Sequence, residues 1–312
     1  EYRRQRQMCI RDSENTLHLA VGFSSCAKGK ISKFDLDAVR QADGVHAVFS
    51  AKDIEVENNW GPIVKDDPIF AEEQVEFYGQ ALFVVVAESY QQARQAVRLA
   101  KIEYVPETPI LTIQDAIKKE SWVLPPVEFS HGDVEQAFEN ATHHLSGNIQ
   151  VGGQEHFYLE GQISYAIPQE NQSLKVYCST QHPTEMQLLI CHALGMNMHQ
   201  VSVESRRMGG GFGGKESQSA QWACIASLAA QKTGRPCKLR LDRDDDMSAT
   251  GKRHGFAYEW SVAFDDTGIL QGLKVQLASN CGFSADLSGP VNERAICHIG
   301  NAYYLNAVEL RN

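Results

Sequence analysis

The sequence predicts an α/β chain, in the broad sense that includes α+β, built of mixed sheets and helices. Three observations carry this. Strand-like and helix-like stretches alternate along much of the chain. The run ALFVVVA at 81–87 is apolar and of strand length, as suits a strand covered on both faces. The composition is 43% hydrophobic and 22% charged over 312 residues, a globular balance with room for two domains.

The elements follow in chain order. Residues 17–23, LHLAVGF, predict a first strand. Residues 35–40 predict a short helix opened by Asp35, an acid that can cap it. Residues 46–49 predict a second strand and 81–87 a third. Residues 89–100 predict a helix with Ser89 as N-cap and Ala93, Val97 and Ala100 on one face. A strand at 102–105 is closed by Pro106 and Pro109. Such β-helix-β units predict a compact domain over 14–118. Residues 119–130 then join charges to the pair Pro125-Pro126, the composition of a linker. The second half, 131–312, holds strands at 174–178, 200–204 and 237–241. Its helices are predicted at 183–194 and, strongly apolar, at 219–230.

Composition also excludes classes. Average Gly and Pro contents, 24 and 10 residues, exclude collagen and low-complexity arrays. There are 29 basic and 39 acidic side chains, a net charge of −10, so the basic excess or stripe of a nucleic-acid binder is missing. No apolar run approaches the ~18 residues a membrane helix needs. The chain reads as soluble, acidic and cytoplasmic. Both ends read as irregular. Residues 1–13 contain four arginines and no apolar core, which excludes a signal peptide. They are expected to be foreign to the fold, with a transit peptide as the other reading. The end at Val308–Asn312 reads as that of a fragment.

Eight cysteines, at 9, 26, 178, 191, 224, 237, 281 and 297, form no C-x-x-C pair. Zinc sites and iron–sulfur clusters usually draw ligands from closely spaced cysteines. No cluster is therefore expected on this chain, and the cysteines are expected to be small buried apolar residues.

The most informative segment is Met208–Glu216, MGGGFGGKE, with five glycines in nine residues. Glycine at this density allows close backbone approach and positive φ. Successive amides and a following helix N-terminus can bind an anion. Gly209-x-Gly211-x-x-Gly214 fits the dinucleotide fingerprint, with Asp242 as a candidate ribose acid. Gly209-x-x-x-x-Gly214-Lys215 fits a P-loop except at its last position, where Glu216 replaces the Ser or Thr that holds magnesium. A tight strand-to-helix turn is the structural alternative. A second segment, VGGQEHFYLE at 151–160, also sets two glycines before a polar residue, Gln154. The acidic run Asp242–Asp246 reads as a solvated loop or helix start. His156, in a strand-like stretch, and the pair His143-His144 read as structural.

The segments GGQEHFYLE at 152–160 and RMGGGFGGKE at 207–216 resemble the molybdenum-binding region of the xanthine dehydrogenase family. LDRDDDM at 241–247, GKRH at 251–254 and NERA at 292–295 fit the same family in order. The resemblance runs from about residue 14 to 312. It implies an α/β hammerhead domain over 14–118 and the first part of a molybdopterin-binding domain over 131–312. It implies molybdenum–molybdopterin as cofactor, held through the pterin with no metal ligand from this chain. Iron–sulfur clusters and FAD are then expected on other domains or subunits, within an oligomeric complete enzyme. By the same resemblance Gln154 hydrogen-bonds an oxo ligand, and the backbone of Phe212 and Gly213 lies beside the metal centre. Glu216 binds the substrate and Arg294 faces it. The polar pair favours oxidative hydroxylation of a purine such as hypoxanthine or xanthine; related aldehyde oxidases carry other residues there. Carbon monoxide dehydrogenases of this superfamily use a cysteine in an active-site loop; the loop here has Phe212 and no cysteine, which argues against that branch. The family's catalytic glutamate base lies beyond residue 312, so this chain alone is expected to be inactive. An aldehyde oxidase-type molybdenum hydroxylase, a dinucleotide-binding dehydrogenase using Gly209–Gly214, and a module that kept the fold without the cofactor are the rival readings.

Overall fold

A computed structural model describes residues 14–312; the arginine-rich segment 1–13 and Cys9 lie outside the described residues. The strands are β1 (Leu17–Phe23), β2 (Gly29–Asp35), β3 (Val45–Ser50), β4 (Gln74–Val75), β5 (Ala81–Ala87), β6 (Lys101–Pro106), β7 (Glu128–His131), β8 (His143–Val151), β9 (Ile163–Pro168), β10 (Leu174–Cys178), β11 (Val201–Glu204), β12 (Cys237–Arg240), β13 (Gly255–Phe264), β14 (Leu270–Asn280) and β15 (Val308–Arg311). The helices are α1 (Asp37–Arg40), α2 (Tyr90–Val97), α3 (Ile113–Lys118), α4 (Val134–Asn140), α5 (Pro183–Leu194), α6 (Ser219–Thr233), α7 (Arg243–Ala249) and α8 (Ser288–Cys297). The fold is mixed α/β, as the alternating pattern predicts.

Two compact units share the chain. One takes the residues up to Pro109 together with Glu155–Lys252; the other takes Ile110–Gln154 and Arg253–Asn312. The first unit is built on a seven-stranded sheet of order β11-β10-β9-β12-β1-β5-β3, with a three-stranded sheet β4-β2-β6 beside it in sequence. β5 is fully buried along its length, which explains its unbroken apolar run. α6 buries every residue from Ser219 to Ala230 and ends at Gly234 in the left-handed region, where glycine carries no Cβ penalty. It belongs to the same apolar core as α5, β1 and β10.

Three expectations are corrected here. The strand and helix alternation suggested β-helix-β units, yet β1 and β3 both run antiparallel to their shared neighbour β5. The parallel partner of β1 is β12, with Leu17 opposite Cys237. Periodicity reports which face is buried and not which strand lies alongside. The helix expected from Asp35 begins at Asp37, with Leu36 at the N-cap position; Asp35 instead accepts from the Asp37 amide at 3.1 Å. The stretch around His156 is not a strand: residues 155–162 carry none. Gly152-Gly153 and a left-handed Phe157, φ 49, break the extended run.

The second unit carries a five-stranded sheet of order β7-β15-β14-β13-β8. Val275, Leu277, Ile296 and Leu310 form its small core, with Phe256, Tyr258 and Trp260 packed against them. β7 begins inside the range 119–130 expected as linker. His143 and His144 lie in β8, pairing with Asp266 and the Phe138 carbonyl. Four cysteines, 178, 191, 224 and 237, are buried and unpaired. Burial pushes the Cys178 and Cys237 thiols up to about 11, which makes them inert packing groups. Cys297 is exposed, against the buried expectation. No helix among the described residues is long and apolar enough to cross a membrane.

Candidate active-site loop and its support

The glycine loop lies in the first unit, between β11 and α6. β11 ends at Glu204 and α6 begins at Ser219, so the loop is no tight strand-to-helix turn. Gly210 and Gly213 have φ of 98° and 94°, and Phe212 between them is left-handed at 55°. Such backbone is accessible to glycine and strained elsewhere. A Cβ on Gly209 would lie 2.6 Å from Glu160 Cβ, and one on Gly214 would lie 2.6 Å from the His156 ring. A Cβ on Gly211 would meet Gln181. These three glycines admit close neighbours on the protein side. At Gly213 the space is open, with only His156 Nε2 at 3.9 Å from an added Cβ.

Beneath the loop sits a network that sequence reasoning missed. Lys215 has no solvent exposure. Its ammonium donates to the Glu160 carbonyl at 2.6 Å and the Ser179 hydroxyl at 2.8 Å, and lies 3.7 Å from Glu160 Oε2. It also stands 4.5 Å from the centre of the Tyr158 ring, within cation–π range. Burial pushes this ammonium below the ordinary lysine value, with the Glu160 charge acting in the opposite sense. Glu160 Oε2 in turn accepts from the Gly209 amide and the Ser179 hydroxyl. Tyr158 donates to Asp246 Oδ1 at 2.6 Å, and burial raises its phenol above the usual tyrosine value. Gln162 ties Tyr158 to the loop, donating to the Tyr158 hydroxyl and to the Gly214 carbonyl.

Gln181 holds the loop from another side. Its Oε1 accepts from the Gly213 amide at 2.9 Å and the Lys215 amide at 3.3 Å. Its main-chain N–H donates to the Lys215 carbonyl. The signal for Gln181 was weak, a polar residue just before a helix with no glycine beside it. For Lys215 the signal was misleading, because a charged residue in a glycine loop suggests a ligand contact.

This geometry removes both phosphate readings. The amides of Gly209, Gly213, Gly214 and Lys215 are all committed to protein acceptors, so they form no open anion nest. The Lys215 ammonium points into the core. Asp242, the candidate ribose acid, caps α7 and pairs with Arg94 at 2.6 Å. The acidic run is thus a helix start, as expected, although Asp246 is buried.

Phe212, Gly213 and Glu216 are therefore brought together on one loop. Phe212 is 74% exposed, and Gly213 and Glu216 are exposed as well. Gln154 and Arg294 belong to the second unit. Gln154 forms an isolated antiparallel bridge with Arg253, and Arg294 is an exposed residue in the last turn of α8. Among the described residues no group of three His, Cys, Asp or Glu side chains is placed to hold a metal ion.

The loop offers a glycine-rich backbone that is open on one side at Gly213 and braced on the other by Lys215 and Gln181. That arrangement fits a bulky cofactor lying against it. Residues 117–312 match the family model for the molybdopterin cofactor-binding domain. The chain belongs to that family. Residues 10–108 match the a/b hammerhead domain of aldehyde oxidase and xanthine dehydrogenase. The chain is 39% identical over 300 residues to xanthine dehydrogenase of Drosophila subobscura and 38% identical over 298 residues to xanthine dehydrogenase/oxidase of Gallus gallus. Each match covers 95% of this chain and 22% of the relative. The chain thus spans about a fifth of those proteins. In fold it is similar to aldehyde oxidoreductase from Desulfovibrio gigas, with a TM-score of 0.90 and 22% identity, covering 97% of this chain and 35% of that one.

Proposed function

We propose that this chain is the hammerhead region and the first part of the molybdopterin-binding region of a xanthine dehydrogenase-type oxidoreductase, with boundaries at 14–118, 119–130 and 131–312. When bound, molybdenum–molybdopterin supplies the oxygen transfer and takes up two electrons. The residues of this chain bind and orient. Phe212 and Gly213 present backbone to the cofactor, and Gln154 donates a hydrogen bond to it. Glu216 hydrogen-bonds ring nitrogens of a purine such as hypoxanthine or xanthine. Arg294 stabilises negative charge that develops on the ring, as a preorganised cation does at an oxyanion.

Iron–sulfur and flavin groups of other domains or subunits carry electrons away, in an oligomeric enzyme of the cytoplasm. The observation that carries the reading is the Glu216 carboxylate, exposed at the end of a braced glycine loop and free of any protein partner among the described residues. A phosphate site would exclude it, and a purine site uses it.

The test is made in the full-length enzyme. Glu216→Ala and Arg294→Met are expected to depress purine turnover far more than aldehyde turnover. Equal loss on both substrates favours an aldehyde oxidase-type enzyme. A native protein without molybdenum overturns the reading altogether.

A further inference from the structure

The bridge between Gln154 and Arg253 has a built geometry. The β8–β13 ladder runs in antiparallel register to Val151 opposite Phe256. It then passes a stretch of glycines. A Cβ on Gly153 would lie 2.9 Å from the Arg253 carbonyl, and one on Gly255 would lie 3.0 Å from the Gly153 amide. Bare backbone on both sides lets the chains stay close, and pairing resumes for one step. The Gln154 amide donates to the Arg253 carbonyl at 3.1 Å, and the Arg253 amide donates to the Gln154 carbonyl at 2.9 Å. Residues paired in this way project their side chains to the same face of the ladder. Across that face Arg253 Nη1 donates to Gln154 Oε1 at 3.0 Å.

A carboxamide has two faces of opposite character. Its oxygen accepts and its nitrogen donates, and either can be turned outward by a rotation about the last bond. Guanidinium is a donor only and stays charged at any working pH. It can therefore hold the oxygen and repels the NH2 end. Hydrogen bonds to charged groups are the stronger class.

We propose that Arg253 is a positioning residue that fixes the amide orientation of Gln154, so that its Nε2–H is the group left for a ligand. The site of Gln154 then recognises hydrogen-bond acceptors, such as a metal-bound oxygen or an anionic ligand atom, and discriminates against donors. Arg253 does this without touching the ligand. The inference rests on the reading of Gln154 as a cofactor contact.

Three variants of the full-length enzyme separate the two claims: Gln154→Leu, Arg253→Met and Arg253→Lys. The readouts are molybdenum and pterin content, the molybdenum–oxygen stretch by resonance Raman spectroscopy, and kcat and KM. Gln154→Leu is expected to shift the stretch, and a spectrum unchanged in that variant overturns both the Gln154 reading and the proposal. With that shift present, Arg253→Met is expected to shift the stretch in the same direction at retained cofactor content. It is also expected to lower kcat about tenfold with KM within about twofold, the effect of one misdirected hydrogen bond. Arg253→Lys, which keeps a cationic donor, is expected to restore part of both. A native spectrum in Arg253→Met, or loss of cofactor with a native spectrum in what remains, leaves Gln154 in its role and overturns that of Arg253.

Discussion

The ammonium of Lys215 donates to the main-chain oxygen of Glu160 at 2.6 Å, from a side chain with no exposure to solvent. A glycine loop of this density is flexible in isolation. Here it is braced by a buried charge whose three partners lie on two other segments, at Tyr158–Glu160 and at Ser179.

Replacing that charge tests the brace. Lys215→Met keeps the stem and removes the ammonium, leaving the Glu160 carbonyl and carboxylate without it. The expected loss of stability is on the order of 3 kcal/mol, the scale for breaking a buried pair. Urea unfolding of the wild-type and variant proteins gives the number. A loss below about 0.5 kcal/mol, the range of ordinary surface substitutions, contradicts the account.

Tyr158 supplies a pH dependence. Its phenol is raised above the ordinary value of 10 by burial first and by the hydrogen bond to Asp246 second. A folded-state value above the unfolded one means that the folded protein holds this proton more tightly. The contribution is complete below pH 10 and declines as pH rises above it toward the folded value. Tyr158→Phe is therefore expected to flatten the alkaline loss of stability above pH 10, at a cost of about 1–3 kcal/mol at neutral pH. Thermal unfolding across that range, wild type against variant, shows the two slopes; parallel slopes refute the assignment.

The glycines of the loop divide by cause. Gly213→Ala makes only an ordinary contact, with His156 Nε2 at 3.9 Å, but forces a side chain into the left-handed region, a strain of about 1–2 kcal/mol. Gly214→Ala has no such φ, yet its Cβ would lie 2.6 Å from the His156 ring and 2.9 Å from the Tyr158 ring. Both rings pack around the loop, so Gly214→Ala is expected to cost more. Melting temperatures in the reverse order contradict this division.

Gln181 is expected to govern mobility more than stability, because it is exposed and water can reach the exposed Gly213 whose amide it holds. Gln181→Leu releases the Gly213 and Lys215 amides. Gln181→Glu keeps an acceptor for both. Hydrogen exchange followed by mass spectrometry is expected to speed up at 213–215 in the Leu variant and to stay near wild type in the Glu variant. Equal exchange in both rules Gln181 out as the clamp.

Much of the local structure was legible in the sequence. The strand 174–178 and the helix 183–194 have the bounds their patterns predict, and Ser89 caps α2 by accepting from the Gln92 amide. Both are short-range matters of apolar spacing, Pro at a helix start and a hydroxyl at its cap. β8 was missed because it is exposed almost throughout and so shows little alternation. The glycine segment marked the right place in the chain but offered three chemistries, since glycine spacing alone is shared by phosphate loops and by bare backbone surfaces.

By itself, then, the sequence determined the mixed α/β class, the main elements of the first unit and the family membership carried by the loop at 207–216. Those features depend on residues near one another in the chain. Tertiary structure decided the rest. It set β12 beside β1, turned Lys215 inward to Glu160, put Gln181 on the Gly213 amide and laid Arg253 across Gln154. Each of these is a choice of partner among distant residues, made by which pairing buries apolar surface and gives buried charges and amides their partners, and no local period records that choice.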